Sequence, residues 1–348
     1  MRAVVVRESG AAAEVMRVET VPDPAPGPRD LIIKVAACGV CFHDVVTRNG
    51  TLKAGVQMPM IPGHEIAGTV AEIGAEVRGL RIGDRVATTQ RRHVCGNCRY
   101  CRTAREPLCD EAEFIGDAGL NGGFAEFVSV EVDNVALVPV GVPLDAAAIA
   151  SCALGTMFHA VREVGRVQLG ESVLVTGAGG GLGIHGIQIA HAAGAFVIAQ
   201  TTSSEKVDAI RAAGAHEVVL SERGGDFAKT VRKLTGGEGV DVVIDNVGSP
   251  AFQSTRRSLG RGGRWVLVGQ LTGEFVPFNP AQLFLKSISI LSATSTTREE
   301  LRRTLDLIAR GVVRPIVSDV VPLEGAAEAH EKVEKGRVLG RIVVEPMA

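Results

Sequence analysis

Residues 173–183 read Val173-Leu174-Val175-Thr176-Gly177-Ala178-Gly179-Gly180-Gly181-Leu182-Gly183. A short β-branched run ends at Thr176, glycines then crowd the chain, and a helix-capable segment follows over 182–193. Strand, glycine turn and helix is the geometry that holds a dinucleotide pyrophosphate. Glycines let the backbone turn sharply and approach the phosphates, while the helix start offers free N–H groups and a partial positive charge. A lone glycine cluster is a weak signal; its setting between strand and helix makes it specific.

Beyond this stretch, strand-like runs recur at 196–199, 217–220, 241–244, 265–268 and 287–291, with helical segments at 204–213, 227–234 and 251–259 between them. Six strands alternating with helices specify a doubly wound parallel sheet. Asp245 closes one of these strands and reads as structural rather than catalytic. Before the stretch the pattern differs. Short strands at 1–6, 31–37, 66–70 and 85–88, separated by Pro- and Gly-rich turns, suggest an irregular β body. Residues 146–161 are Ala-rich and helical. A helix at 298–310 and a last strand at 341–344 return the chain to the first body.

The chain has 348 residues, too many for one ordinary core, and 46% are hydrophobic. The formal net charge is −2, with Lys and Arg scattered along the chain, which argues against nucleic acid or an anionic membrane as partner. No apolar run approaches a membrane-spanning length. The N-terminus runs straight into a strand-like alternation without a signal-peptide core, so the expected location is cytoplasmic.

Of the 7 cysteines, four lie at Cys95-x2-Cys98-x2-Cys101-x7-Cys109 in a polar lobe that cannot build an apolar core. Four thiolates at this spacing suit a closed, structural Zn²⁺ site. Disulfides are disfavoured in a reducing compartment, and an iron–sulfur run would continue differently after Cys101. Cys41, His64 and the isolated Cys152 could converge as a second site, where three protein ligands leave one position open. Cys38 reads as packing, and Arg91-Arg92-His93 as a solvated basic turn.

Taken in order, Gly39-Val40-Cys41, Gly63-His64-Glu65, Gly83-Asp84-Arg85-Val86, the four-cysteine lobe, Cys152-x3-Thr156, the Gly177–Gly183 loop and Gly340-Arg341 resemble the zinc-dependent medium-chain alcohol dehydrogenases. The resemblance implies a GroES-like irregular β-barrel catalytic domain over 1–153 and 294–348, with a structural zinc lobe at 91–112. It also implies a Rossmann cofactor domain over 154–293. Two zinc ions per subunit are expected: a structural one on Cys95, Cys98, Cys101 and Cys109, and a catalytic one on Cys41, His64 and Cys152. Glu65 matches an acid able to swing onto the metal, Asp44 the group that orients His64, and Thr156 a position beside the nicotinamide. The implied activity is hydride transfer between a nicotinamide cofactor and a small alcohol, aldehyde or ketone, zinc polarising the oxygen. Homodimers or homotetramers are common in the family, and residues 287–293 match the edge strand through which its dimers pair.

Two departures stand out. Phe42 replaces a basic residue that often lies near the cofactor phosphates. His43 replaces the hydroxyl residue that relays the substrate proton, and imidazole is itself a proton shuttle at neutral pH. Atypical residues here also occur in acryloyl-CoA-type enoyl-thioester reductases on the same scaffold, which is the alternative reading.

In the cofactor loop, Gly177, Gly179, Gly180, Gly181, Leu182 and Gly183 fit the family's one-residue-longer spacing. The second strand ends near Thr201 without the carboxylate that usually accepts from the ribose 2′-OH of NAD. NADP(H) is therefore favoured over NAD(H), with Ser203, Ser204 and Lys206 near the 2′-phosphate. Arg341 matches a residue that reaches the pyrophosphate. Phe42, Phe114, Phe158, Leu271 and Phe284 are candidates for an apolar substrate pocket.

Overall fold

The computed structural model describes all 348 residues and forms two compact units. The first comprises Met1–Gly155, Ser295–Gly311 and Pro315–Ala348; the second comprises Thr156–Thr294 and Val312–Arg314. The short excursion of Val312–Arg314 has no signature in the sequence pattern. Gln188 accounts for it: its side chain accepts from the Arg314 N–H at 2.7 Å and donates to the Arg314 carbonyl at 2.9 Å. No helix is long and apolar enough to cross a membrane.

The first unit is built on Asp30–Gly39, a strand buried along nearly its whole length. It pairs antiparallel with Glu65–Ile73 and with Phe127–Glu131. Arg341–Val344 joins its far end, with Val343 opposite Gly39 and Val344 opposite Cys38. Strands Arg85–Thr88, Val135–Leu137 and Val317–Val321 complete a seven-stranded sheet. Gly39 faces Glu65 across the ladder, and a β-carbon there would collide with the Glu65 carboxylate. The glycine is what lets that acid sit against the strand.

The Cys-rich lobe has only the small ladder of Arg91–His93 with Glu113–Phe114 and two single 3₁₀ turns. The expected solvated basic turn is not seen at Arg91. Arg91 is buried, donates to Ser295 Oγ at 2.7 Å and to the Thr296 carbonyl at 2.5 Å, and burial pushes its pKa down to about 10. Its neighbours are also paired, Arg92 with Glu113 and His93 with Glu131. Of the three, Arg91 is the one buried inside the protein.

The second unit is a six-stranded parallel sheet in the spatial order Glu217–Leu220, Phe196–Thr201, Ser172–Val175, Val240–Asp245, Leu259–Leu267, Ser289–Ser292. The order reverses direction beside Ser172–Val175, the position where such sheets hold ligands. Among the boundaries that move, two move together. The fifth strand begins at Leu259, six residues early, because the Gly-rich 259–263 segment runs extended through a register shift against Val240–Asp245. Helix Phe252–Ser258 stops correspondingly at Ser258. Asp245 is a structural anchor, accepting from Thr176 Oγ1 at 2.7 Å, from Trp265 Nε1 at 3.0 Å and from the Val247 and Gly248 N–H groups.

Residues 144–164 are helical, as their Ala content suggests, but not uniformly α. Ala150–Gly155 and His159–Val164 are wider π-type turns flanking Thr156–Phe158. Such bulges recur at functional sites because they re-aim side chains that a straight helix would place elsewhere.

One buried titratable group belongs to the first unit's core. His330, on helix Ala326–Glu334, is fully buried, neither ring nitrogen has a partner, and its ring meets Phe124 edge-on at 5.6 Å. Burial pushes its pKa down to about 4, despite the nearby Asp44 carboxylate. The unfolded chain binds this proton near pH 6.5 and the folded chain does not, so stability is full above that pH and falls as pH drops toward 4. The loss is on the order of 3 kcal/mol over that window. Denaturant titrations at pH 7 and pH 4.5 should show His330→Leu losing distinctly less stability than the parent; equal losses would show that this histidine is not the group responsible.

Candidate active site and metal centres

Helix Phe42–Arg48 opens at Cys41, whose side chain caps the backbone of Asp44 while Asp44 reaches back to the Cys41 N–H at 2.9 Å. The other Asp44 oxygen accepts from His64 Nδ1 at 3.0 Å and from the Gly63 N–H at 3.3 Å. His64 precedes the strand that starts at Glu65, and its remaining nitrogen, Nε2, is buried without a partner. Cys152 comes from the wide turn Ala150–Gly155, with its Sγ 3.8 Å from that of Cys41. Ligand atoms of Cys41, His64, Glu65 and Cys152 all lie within 4.8 Å of one another, and all four residues are buried.

A tetrahedral metal with metal–sulfur bonds of about 2.3 Å separates its sulfurs by about 3.8 Å, the spacing found here. The electrostatics agree. Contact with Cys152 pulls the Cys41 thiol well below its ordinary pKa, helped by Arg341 and His64 against burial, while the Cys152 thiol is pushed well above. Two adjacent thiolates repel each other, and a dication between them removes that cost. The donor set and the orphaned imidazole nitrogen therefore fit zinc.

Arg341, matched to the pyrophosphate by resemblance, has its guanidinium among Glu65, Cys41 and Cys152. It donates from Nε to Glu65 at 3.0 and 3.2 Å and from Nη2 toward the sulfurs of Cys41 at 3.4 Å and Cys152 at 3.8 Å. It is 5% exposed, and burial opposes its charge, but Glu65 and the two thiols hold its pKa above the usual value. Burial raises Glu65 to about 7, with Arg341 as the main opposing influence.

His43 lies one helical step from Cys41. Its Nε2 bonds both oxygens of Asp117, at 2.9 and 3.0 Å. The imidazole stands edge-on to His64 at 5.3 Å and tilts over Phe114 at 4.9 Å; Phe114 also meets His64 at 5.1 Å. Burial works against the charged form of His43, but Asp117 outweighs it and the pKa is raised. Asp117 is the residue the sequence did not reveal. It follows a two-residue strand, 74 positions from its partner, in a segment with no periodicity.

The second centre is compact. Cys95, Cys98, Cys101 and Cys109 bring their sulfurs within 4.8 Å of one another, with Cys95 3.9 Å from Cys101 and 3.5 Å from Cys109. The N–H of Cys98 points to the Cys95 sulfur at 3.4 Å and that of Cys101 to the Cys98 sulfur at 3.5 Å, contacts that would orient the sulfurs toward a shared ion. No cysteine is in a disulfide.

In the second unit, Gly177 takes a left-handed φ of 61° directly after the first strand, and Gly183 begins helix Gly183–Ala192. A β-carbon on Gly183 would overlap the Gly177 carbonyl, so the loop closes only with glycine there. Gly179, Gly180, Gly181 and Leu182 fill the loop between them. Gln200, also unanticipated, steadies it by accepting from the Gly177 N–H at 3.3 Å and donating to Ser221 at 3.0 Å. The neighbouring strand ends at Thr201, whose hydroxyl accepts from the Ser203 N–H at 3.2 Å. Ser204–Lys206 form one 3₁₀ turn. The Lys206 side chain lies over the loop: a β-carbon on Gly179 would sit 2.5 Å from its Cδ. Thr156 is buried and its hydroxyl has no partner. Leu271 and Phe284, considered for a pocket, are exposed at 39% and 67%.

Comparison with known proteins agrees with this architecture. An alcohol dehydrogenase GroES-like domain model matches residues 27–140, and a zinc-binding dehydrogenase model matches residues 181–310. The chain is 34% identical over 331 residues to an acryloyl-coenzyme A reductase of Sulfurisphaera tokodaii, covering 95% of this chain and 96% of that protein. It is 34% identical over 346 residues to an alcohol dehydrogenase of Geobacillus stearothermophilus, covering 99% of each. The crystal structure of AibC superposes with a TM-score of 0.91 at 45% identity, covering 99% of this chain and 95% of that one. With both family models in sequence and relatives matched along nearly their whole length, the chain belongs to the zinc-dependent medium-chain dehydrogenase family, an oxidoreductase family of GroES-like and Rossmann domains.

Proposed function

We propose that the protein is a zinc-containing oxidoreductase that moves hydride between NADP(H) and an alcohol or carbonyl substrate. The observation that carries this reading is the complete buried donor set of Cys41, His64 and Cys152 with Glu65 beside it, and an unpartnered His64 Nε2. Zinc held there would act as a Lewis acid on the substrate oxygen. Asp44 fixes the His64 ring so that its free nitrogen stays available. Arg341 balances the charge of Glu65 and the thiolates, and Phe114 packs against both His43 and His64. In oxidation the alcohol gives a hydride to the nicotinamide and a proton to His43; reduction reverses both transfers. Cys95, Cys98, Cys101 and Cys109 hold a second, structural zinc.

On the cofactor side, the glycine loop takes the pyrophosphate and Thr156 lies beside the nicotinamide. Thr201, Ser203, Ser204 and Lys206 face the adenosine ribose and favour a 2′-phosphate. What supports NADP(H) is the absence of a carboxylate at the strand end together with the aliphatic stem of Lys206 against the loop at Gly179.

A second reading is favoured by the acryloyl-coenzyme A reductases among the relatives. There the cofactor's hydride goes to the β-carbon of an enoyl thioester and a proton to the α-carbon, and zinc is not essential. The edge strand Ser289–Ser292, with Phe284, Leu285 and Ile290 exposed near it, also supports pairing with a second copy of the chain. Light scattering should then give a dimer or tetramer.

A panel of primary and secondary alcohols, aldehydes, ketones and acryloyl-CoA, run with NADH and NADPH, separates the two chemistries. Turnover of acryloyl-CoA with no response to aldehydes would overturn the first reading. Metal analysis should return two zinc ions per chain, one after Cys152→Ser and one after Cys98→Ser; carbonyl turnover that survives Cys41→Ser would exclude a catalytic metal. Lys206→Ala should raise the KM for NADPH about 10-fold, the worth of one charge-assisted hydrogen bond, and leave that for NADH within about threefold. Equal changes for both cofactors would mean that Lys206 only packs the loop.

A further inference from the structure

We propose that Asp117 is a positioning residue that fixes both the ring orientation and the tautomer of His43, turning a mobile imidazole into an aimed proton relay. The proposal rests on the relay role of His43 above. Both Asp117 oxygens lie within 3.0 Å of His43 Nε2. A carboxylate only accepts, so Nε2 carries the hydrogen and Nδ1 is left as the nitrogen that exchanges a proton with substrate. No protein atom bonds Nδ1. Asp117 is itself held from two sides: its carbonyl accepts from the Gln57 N–H at 3.0 Å, and Thr47 Oγ1 stands 3.5 Å from Oδ1. Thr47 lies one helical turn after His43, so relay and carboxylate are anchored to the same helix that opens at Cys41. Phe114, against the imidazole face at 4.9 Å, blocks one direction of ring rotation. The couple thus has an orienting carboxylate and a ring packed beside His64 and Phe114.

A plain structural ion pair between a helix and a loop would show the same distances, so the test must read the ring itself. Nitrogen-15 NMR of histidine-labelled, zinc-loaded protein should show neutral His43 as the Nε2–H tautomer. Asp117→Asn, which keeps the size and offers an N–H donor, should populate the Nδ1–H form. In steady-state assays with the best substrate of the panel above, Asp117→Asn should lower kcat about 10–100-fold with the nicotinamide KM within about twofold and two zinc ions retained. Added to His43→Gln, it should cause no further loss. An unchanged His43 tautomer in Asp117→Asn overturns the proposal, as does an unchanged kcat when His43→Gln is impaired. If His43→Gln itself keeps the parental kcat, the relay reading fails, whereas the NMR result still decides whether Asp117 sets the tautomer. Asp117→Glu, which restores a carboxylate, should recover the Nε2–H tautomer and part of kcat, a rescue that loop anchoring alone does not predict.

Discussion

The Asp44 carboxylate ties the first unit's chemistry to its fold. One oxygen holds the backbone of Cys41, and the other holds the His64 ring and the Gly63 N–H. The same side chain closes the first turn of helix Phe42–Arg48. Cys41 and His64, from separate elements, are thereby referred to a single buried group, 2% exposed. Burial alone would raise its pKa, but His64 more than compensates and the carboxyl is held below its ordinary value. An anion in that position is stable because it is fully bonded, and being fully bonded it does not move. The rigidity of the ligand set follows from satisfying the carboxylate.

Charge balance then dictates what else the pocket contains. With both thiols ionised and Glu65 charged, the Arg341 cation would leave a net charge matching a dication. Every member is buried, so no solvent is at hand to screen an imbalance. Arg341 arrives from the last strand, whose ladder with Asp30–Gly39 brings it beside Cys41. The four-cysteine lobe answers to a different constraint. Three of its cysteines are only half-buried, so water reaches them, and the buried Arg91 guanidinium interacts with Cys101 and Cys109 from inside.

What the sequence disclosed and what it concealed follow from range. The glycine loop, the alternating strands of the second unit and the cysteine spacing are local patterns, because turn geometry and ligand spacing act over a few residues. The two ligand groups came together as their residue types implied. Arg91 looked solvated because its partners, Ser295 and Thr296, lie about two hundred positions away. Arg341 could be assigned to the family's pyrophosphate position, but its bond to Glu65 spans 276 residues and leaves no mark in either neighbourhood. The π-type turn around Cys152 was equally silent. Composition reports helix, whereas the turn's width depends on what the side chain must reach.

With His43 as the proposed relay in place of a hydroxyl, the site carries a structural demand that Asp117 meets. A hydroxyl accepts and donates through one oxygen, so rotation about a single bond suffices to pass a proton. An imidazole uses two nitrogens on opposite sides of a rigid ring, and only one can face the substrate. Unless the other is engaged, the ring can present either nitrogen in either tautomer, and only part of the population is competent. A carboxylate on Nε2 removes that ambiguity, and Phe114 limits the swing that remains. The ordering cost moves from each turnover into the folding of a loop, which is how preorganised sites gain rate. In this chain the imidazole on the helix that opens at Cys41 is thus matched by a carboxylate 74 positions along the sequence, and the two are intelligible only together.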